Sequence, residues 1–537
     1  MERVTVDQRA LQRRYPVEYS TARLTALRGF YTAWQARLRE VDFDKLGPEG
    51  KVDYLLLANR LSEQLALEGR AAARYAEMQS LLPFAGTIME LFESRRAMLT
   101  VNAEASSRQV SRIADQAARA LRTIDSAPKP TKIVAFRAAQ EVLDLRQTLK
   151  SWYDFYTGYD PLFTWWAKAP HERAADQLQR YARALREKVV GVREGEDEPI
   201  IGDPIGRAAL IEDLGYEMIP YGPEDLVKVA QREFAWCEAE MLKASRAMGF
   251  GDDWKAAIEK VKNFHVEPGK QTDLVRDLAR EAVEFIERRN LVTVPPLAKD
   301  DWWIEMMSPE RQKVAPFFLG GANIIVAYPT DAMSDEDKLM SMRGNNIHFS
   351  RATVQHELIP GHHLQYFMTD RYSTHRDTFG TPFWGEGWAL YWEMLLWDQN
   401  FPRSPEDRVG MLFWRMHRAA RIIFSLNFHL GTMTPQQAID FLVDRVGHER
   451  ANATAEVRRS FNGTYPPLYQ IAYMMGGLQF RALRAELVQS GRMTDKAFHD
   501  AIMQGGSMPV EMVRARLTNA RLTRDYAPNW KFAGALP

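Results

Sequence analysis

From Pro223 to Met248 the apolar residues Leu226, Ala230, Phe234, Cys237, Met241, Ala244 and Met248 recur at steps of three and four. That spacing keeps them on one face of an α-helix, whereas a strand would divide them between its two sides. Pro223 suits the first helical position, Glu224 and Asp225 suit the positive end of the helix dipole, and Gly249 ends the run. The segments 20–40, 50–78, 98–124, 132–154 and 171–189 carry similar periodicity with few glycines or prolines. A chain patterned in this way buries its apolar stripes by packing helix on helix. The expected fold is therefore mainly α, a large multi-helix array with an extended helical N-terminal half.

Glycine and proline punctuate the pattern. Gly191, Gly195, Pro199, Gly202, Pro204 and Gly206 predict a loop or junction over 191–222. It separates a helical N-terminal region, 1–190, from a second helical region, 223–537, expected to pack with it. Leu291-Val292-Thr293-Val294-Pro295 and Ala322-Asn323-Ile324-Ile325-Val326-Ala327-Tyr328 are the best strand candidates and predict a small β-sheet. The stretch 322–328 is read either as an ordinary core strand or as an edge that could add an extended peptide. No fixed-period repeat is present, which argues against a solenoid scaffold.

Basic and acidic residues balance at 70 each with no long basic run, so neither nucleic acid nor an anionic membrane is an expected partner. Cys237 is the only cysteine of the 537 residues, which excludes an intramolecular disulfide and any thiolate metal cluster. It is expected to be a small apolar residue of the core. The N-terminus, Met1-Glu2-Arg3-Val4-Thr5-Val6-Asp7, has no apolar stretch of signal-peptide type, and no segment reaches the roughly 20 apolar residues that span a bilayer. The expectation is a soluble cytoplasmic protein, unless an export signal has been removed. It could be a monomer or a homodimer.

The residues that carry chemistry lie further on. His356-Glu357-Leu358-Ile359-Pro360-Gly361-His362-His363 resembles a stretched His-Glu-x-x-His motif, in which two histidines one turn apart hold zinc and the glutamate is the general base. Pro360 breaks the standard form. An unbroken helix, at about 100° per residue, would turn His362 roughly 120° away from His356. Pro360 cannot donate to the His356 carbonyl, and Gly361 tolerates a kink, so two residues looped out as a bulge would return His362 to the second ligand's place. His363 is the alternative, on the right face but roughly 10 Å further along a regular helix. Glu386, within Trp384-Gly385-Glu386-Gly387-Trp388, is the candidate third ligand, because two histidines and a carboxylate leave a zinc position open to water. Glu393, seven residues on and on the same face, could support a ligating imidazole or make a surface salt bridge. The competing reading of the whole set is a structural histidine cluster.

These residues resemble a known family, the predicted metallopeptidases grouped as domain of unknown function 885. The resemblance rests on His356-Glu357-x-x-Pro360-Gly361-His362-His363-Leu364-Gln365 and on Glu386-Gly387-Trp388-Ala389-x-Tyr391-x-Glu393. Weaker features are Arg418-x-x-Arg421 with His429 eight residues on, and Pro467 followed by Tyr473 and Gly476. It implies a mainly helical gluzincin-like fold, similar to the thimet oligopeptidase and Taq carboxypeptidase families. The second ligand there lies in a Gly-His-Ala-Leu string, of which Gly361-His362-His363-Leu364 looks like the counterpart. The chain departs from its family at Ser425, where Asp is usual, and at Leu468, where glycine is usual.

The reading that follows is a zinc-dependent peptidase acting on peptides or small amides, with one Zn2+ held by His356, His362 and Glu386. Glu357 would take a proton from the activated water and return it to the leaving amine. Tyr473 and His429 are candidate donors to the oxyanion, each with a structural alternative in the core. Arg421 could bind a C-terminal carboxylate bidentately or make a helix-surface salt bridge. Two further classes remain: a metal-dependent hydrolase of non-peptide amides or esters, and a non-catalytic helical metal-binding protein. Retention of Glu357 disfavours the last, since a structural zinc needs no adjacent base.

Overall fold

The computed structural model describes residues 1–126, 128–193, 199–312 and 317–535. It is mainly α, as the periodicity predicts. The expected helices occur as Thr21–Arg39, Pro48–Met78, Ala103–Thr123, Lys132–Tyr156, Pro161–Ala184 and Pro223–Ala247. Side-chain oxygens cap several of them: Ser20 accepts from the Arg23 amide, Asn102 from Ala105 and Thr131 from Val134. Each satisfies one of the donors that a helix N-terminus leaves unpaired. In Pro223–Ala247 the predicted seam is buried from Leu226 to Ala244 with Cys237 inside it, and Gly249 adopts φ +86° just beyond the end.

The chain divides into two compact units, residues 1–41 with 58–202, and residues 42–57 with 203–535 among those described. The boundary at 202/203 falls inside the predicted junction 191–222, of which Gly195 lies outside the described residues. That stretch is not all loop, since Gly206–Tyr216 is helical and buries Leu210 and Leu214. In the first unit Val110, Ile113 and Ala117 share a core with Trp152, Phe163, Ala167 and Leu178.

The second unit carries the motif residues. Its two short strands, β1 (Ile304–Met306) and β2 (Ile324–Val326), pair in parallel, with Ile304 opposite Ile324. Two strand expectations need correction. Leu291–Pro295 is not a strand; His499 Nδ1 donates to the Leu291 carbonyl, and Asp500 binds both the amide and the hydroxyl of Thr293. Side chains thus take the backbone groups that a ladder would have used. Nor is β2 a free edge, because Leu319 exchanges two backbone hydrogen bonds with Ile325 on the side away from β1. An added peptide strand would find both edges of β2 occupied.

Six helices of this unit frame the site: α1 (Ile347–Glu357), α2 (His362–Thr369), α3 (Pro382–Asp398), α4 (Pro405–His429), α5 (Arg450–Phe461) and α6 (Tyr469–Arg484). Pro382 and Pro405 open α3 and α4 behind the capping residues Thr381 and Ser404. Helix α3 is buried on all sides from Phe383 to Leu396, so its apolar residues do not form a one-sided stripe. Backbone meets backbone where α3 crosses α6. A Cβ on Gly387 would lie 2.5 Å from Gly476 Cα, and one on Gly476 would lie 2.1 Å from the Phe383 carbonyl oxygen. Gly387→Ala is therefore expected to force the helices apart and destabilise the protein by roughly 2–3 kcal/mol or more, read as a lowered urea midpoint. An unchanged midpoint would show that the contact is looser than described.

Candidate metal centre

The motif helix stops rather than bulges. α1 ends at Glu357, Leu358 leaves helical geometry with φ −107° and ψ −108°, and α2 begins at His362. The turn between them is closed by the Gly361 amide donating to the Gln355 carbonyl at 3.0 Å. Trp388 Nε1 of α3 donates to the Pro360 carbonyl at 2.9 Å. Only glycine fits at 361, because a Cβ there would fall 1.8 Å from the His356 carbonyl oxygen. The proline and glycine thus end one helix and start another so that His356 and His362 face each other, with ring centroids 4.9 Å apart.

Both imidazoles direct Nε2 at one oxygen of Glu386. The distances to Oε2 are 3.4 Å from His356 and 3.1 Å from His362. Nitrogen and oxygen ligands about 2.1 Å from a tetrahedral zinc lie roughly 3.4 Å from one another, so this donor set matches a zinc site in spacing and type. His356, His362 and Glu357 also offer ligand atoms within 4.8 Å of one another, all buried. The third protein ligand could then be Glu386 or Glu357, and the approach of Glu386 Oε2 to both imidazoles favours Glu386. Glu393 supports a ligating imidazole rather than making a surface salt bridge: it is buried and accepts from His356 Nδ1 at 2.7 Å. That bond fixes the tautomer that leaves Nε2 free for a metal.

The electrostatics agree with a site that holds a cation. Burial alone would depress the His356 imidazolium, yet hydrogen bonds to Glu386 and Glu393 raise its pKa to about 9. Burial raises Glu386 too, but the neighbouring His362 and His356 outweigh it and hold the carboxylate well below its ordinary range. The pKa of Glu357 is pushed up by burial, the direction that makes a carboxylate a better base near neutrality. A Cβ on Gly320 would fall 2.3 Å from Glu357 Oε2, so the segment ending at Gly320 lies directly against this side chain.

The remaining candidates separate cleanly. His363 turns away, its Nε2 at 2.9 Å from the Ala298 carbonyl. Tyr473 lines the cavity beside the histidines and stacks on His356 at 6.1 Å. His429 does not line it; the ring sits at the end of α4 against Phe428 and Phe461. Arg421 does line the cavity, but its Nε donates to the buried Glu456 at 2.7 Å, so it is held in a buried ion pair rather than at the surface.

Tyr469, Tyr366 and Arg418 also reach the cavity, and the motif reading did not single them out for chemistry. The Tyr469 hydroxyl donates to Glu386 Oε1, and Tyr366 stacks on His362 at 5.8 Å. Position could have found two of them. Tyr469 precedes Tyr473 by four residues on α6, and Arg418 precedes Arg421 by three on α4, so each shares a face with a flagged residue.

No curated protein matches the sequence. Solved structures that share the fold include two putative lipoproteins. One is a putative lipoprotein of unknown function from Shewanella oneidensis, at TM-score 0.71 and 21% identity, covering 96% of this chain and 98% of that one. The other is a putative lipoprotein from Colwellia psychrerythraea, at TM-score 0.62 and 16% identity, covering 96% of each chain. At these identities the likeness speaks for the fold alone. Residues 6–517 match a family described as "Bacterial protein of unknown function (DUF885)", and a match of that extent makes this chain a member of it.

Proposed function

We propose that this protein is a zinc-dependent peptidase. The observation that carries the reading is the convergence of two buried imidazole Nε2 atoms on one oxygen of Glu386, with a second buried carboxylate, Glu357, beside them. His356, His362 and Glu386 would hold the ion, with Glu393 bracing His356. When bound, zinc supplies Lewis acidity to a water molecule and to the substrate carbonyl.

The protein's own groups do the rest. Glu357 takes a proton from the attacking water and delivers it to the amine as the C–N bond breaks, leaving a carboxylic acid and a free amine. Tyr473 is raised above the ordinary phenol range by burial and by the Glu386 charge, so it stays protonated and able to donate to a developing oxyanion, while Tyr469 keeps its proton directed at Glu386. The same groups would serve a non-peptide amide or ester, and the cavity walls favour a peptide chain by offering several aromatic faces and arginines.

Both of these structures are described as putative lipoproteins, which favours a cell-envelope setting, and peptides found there, over the cytoplasmic setting expected from an N-terminus without a signal-type apolar stretch. No described helix is long and apolar enough to cross a membrane. The test is hydrolysis of a mixed panel of short peptides, acyl amides and esters, before and after chelation with zinc restored. Peptide cleavage lost on chelation and regained with zinc supports the reading. Cleavage of esters alone would move it to the non-peptide hydrolases.

A further inference from the structure

One wall of the cavity has more positive charge than the protein neutralises. Arg418, Arg421 and Arg459 all line it, with only 5%, 2% and 6% of their surface exposed. Two of them share one carboxylate: Glu456 accepts from Arg421 Nε at 2.7 Å and lies 3.7 Å from Arg459 Nε. Burial would raise the pKa of Glu456, yet Arg421 and Arg459 bring it down to about 2, so it carries a single full negative charge between two guanidinium groups. Arg418 has less. Its nearest carboxylate oxygen is that of Glu393 at 4.0 Å, beyond hydrogen-bond distance, and Glu393 is already bonded to His356. Among the described residues Arg418 makes no hydrogen bond, and its Nε and Arg421 Nη1 are buried without partners.

A buried guanidinium with five donors and no acceptor is costly, and such groups are retained where an anion completes them. The position of the wall says which anion. The Tyr473 ring stacks on His356 on one side, and the guanidinium carbons of Arg418 and Arg421 each lie 4.5 Å from its centroid. The arginines and the metal-ligating imidazole therefore both pack against the ring of Tyr473, a short gap apart. Extended chain covers about 3.5 Å per residue, so that gap accommodates one or two residues of a substrate whose carbonyl sits at the histidines.

We propose that Arg418, supported by Arg421 and Arg459, binds the C-terminal carboxylate of the substrate, so that the enzyme releases one or two residues from the C-terminus of a peptide. The assignment rests on the peptidase reading for its reaction and on Arg418, which makes no hydrogen bond among the described residues, for its specificity. Arg418, rather than Arg421, is the principal receptor, because Glu456 already holds Arg421. An acidic side chain carries the same chemical group, and the probes below tell the two sources apart.

The experiment is calorimetric binding of three probes to the protein as purified: N-acetyl-phenylalanine, its C-terminal amide, and N-acetyl-glutamate α-amide. The free acid is expected to bind at least about tenfold more tightly than either amide. Arg418→Gln is expected to abolish that preference while keeping the wild-type zinc content, and Arg418→Lys to restore part of it. Equal binding of acid and amide, or an acid preference that survives in Arg418→Gln, would overturn the proposal. Tighter binding of the glutamate amide would overturn the C-terminal assignment in favour of an acidic side chain. Failure of the peptidase reading shows elsewhere, as absent zinc or absent hydrolysis with the acid preference intact.

Discussion

Glu357→Gln is expected to retain its zinc and to lose hydrolysis by roughly 10²–10⁴-fold, the usual contribution of a positioned general base. Glutamine matches glutamate in size and can still accept a hydrogen bond through its amide oxygen, but at neutral pH it cannot take a proton from water and pass it on. The site tolerates the exchange sterically, because the side chain keeps its place at the end of α1, against Gly320. Zinc content would be measured alongside turnover of the best peptide from the panel. A variant with wild-type turnover would remove Glu357 from the mechanism. Loss of metal together with activity would instead make Glu357 a ligand, as its approach to both histidines allows.

The second large effect is on metal binding. His362→Ala is expected to lose zinc, since it removes one of two imidazoles aimed at Glu386 and leaves a site with too few protein donors. His363→Ala is expected to keep it. The neighbouring ring makes its hydrogen bond to Ala298, so its loss costs about 1 kcal/mol of stability and no ligand. Metal analysis of the two purified variants side by side decides between adjacent histidines. Zinc lost from the His363 variant and retained in the His362 variant would reverse the assignment.

The helices were legible because their information is local: the seam from Leu226 to Ala244 and the stop at Gly249 need only the 3.6-residue period. The Pro360-Gly361 interruption was legible in its consequence, bringing His362 towards His356, though the chain makes two helices there and not one bulged helix. Contacts made by residues distant in sequence were hidden. Nothing before position 387 announces that Gly387 will lie against Gly476, yet that approach sets Tyr469 beside Glu386. The apolar run Leu291–Pro295 has strand-like composition, but His499 and Asp500, some 200 residues away, take its backbone groups. β1 is not legible in the sequence, because three residues are too short for a period to declare itself. His429 and Arg421 have the right residue types on α4, and only packing distinguishes a ring against Phe461 from a guanidinium on the cavity wall.

Everything proposed for this protein depends on His356, His362 and Glu386 forming a metal site. The most direct test is the zinc content of the wild-type protein by plasma mass spectrometry after incubation with zinc and removal of the excess. About one tightly held zinc per chain is expected. A protein that stays free of zinc under those conditions would contradict that expectation, and would leave the buried histidines and carboxylates as a structural cluster.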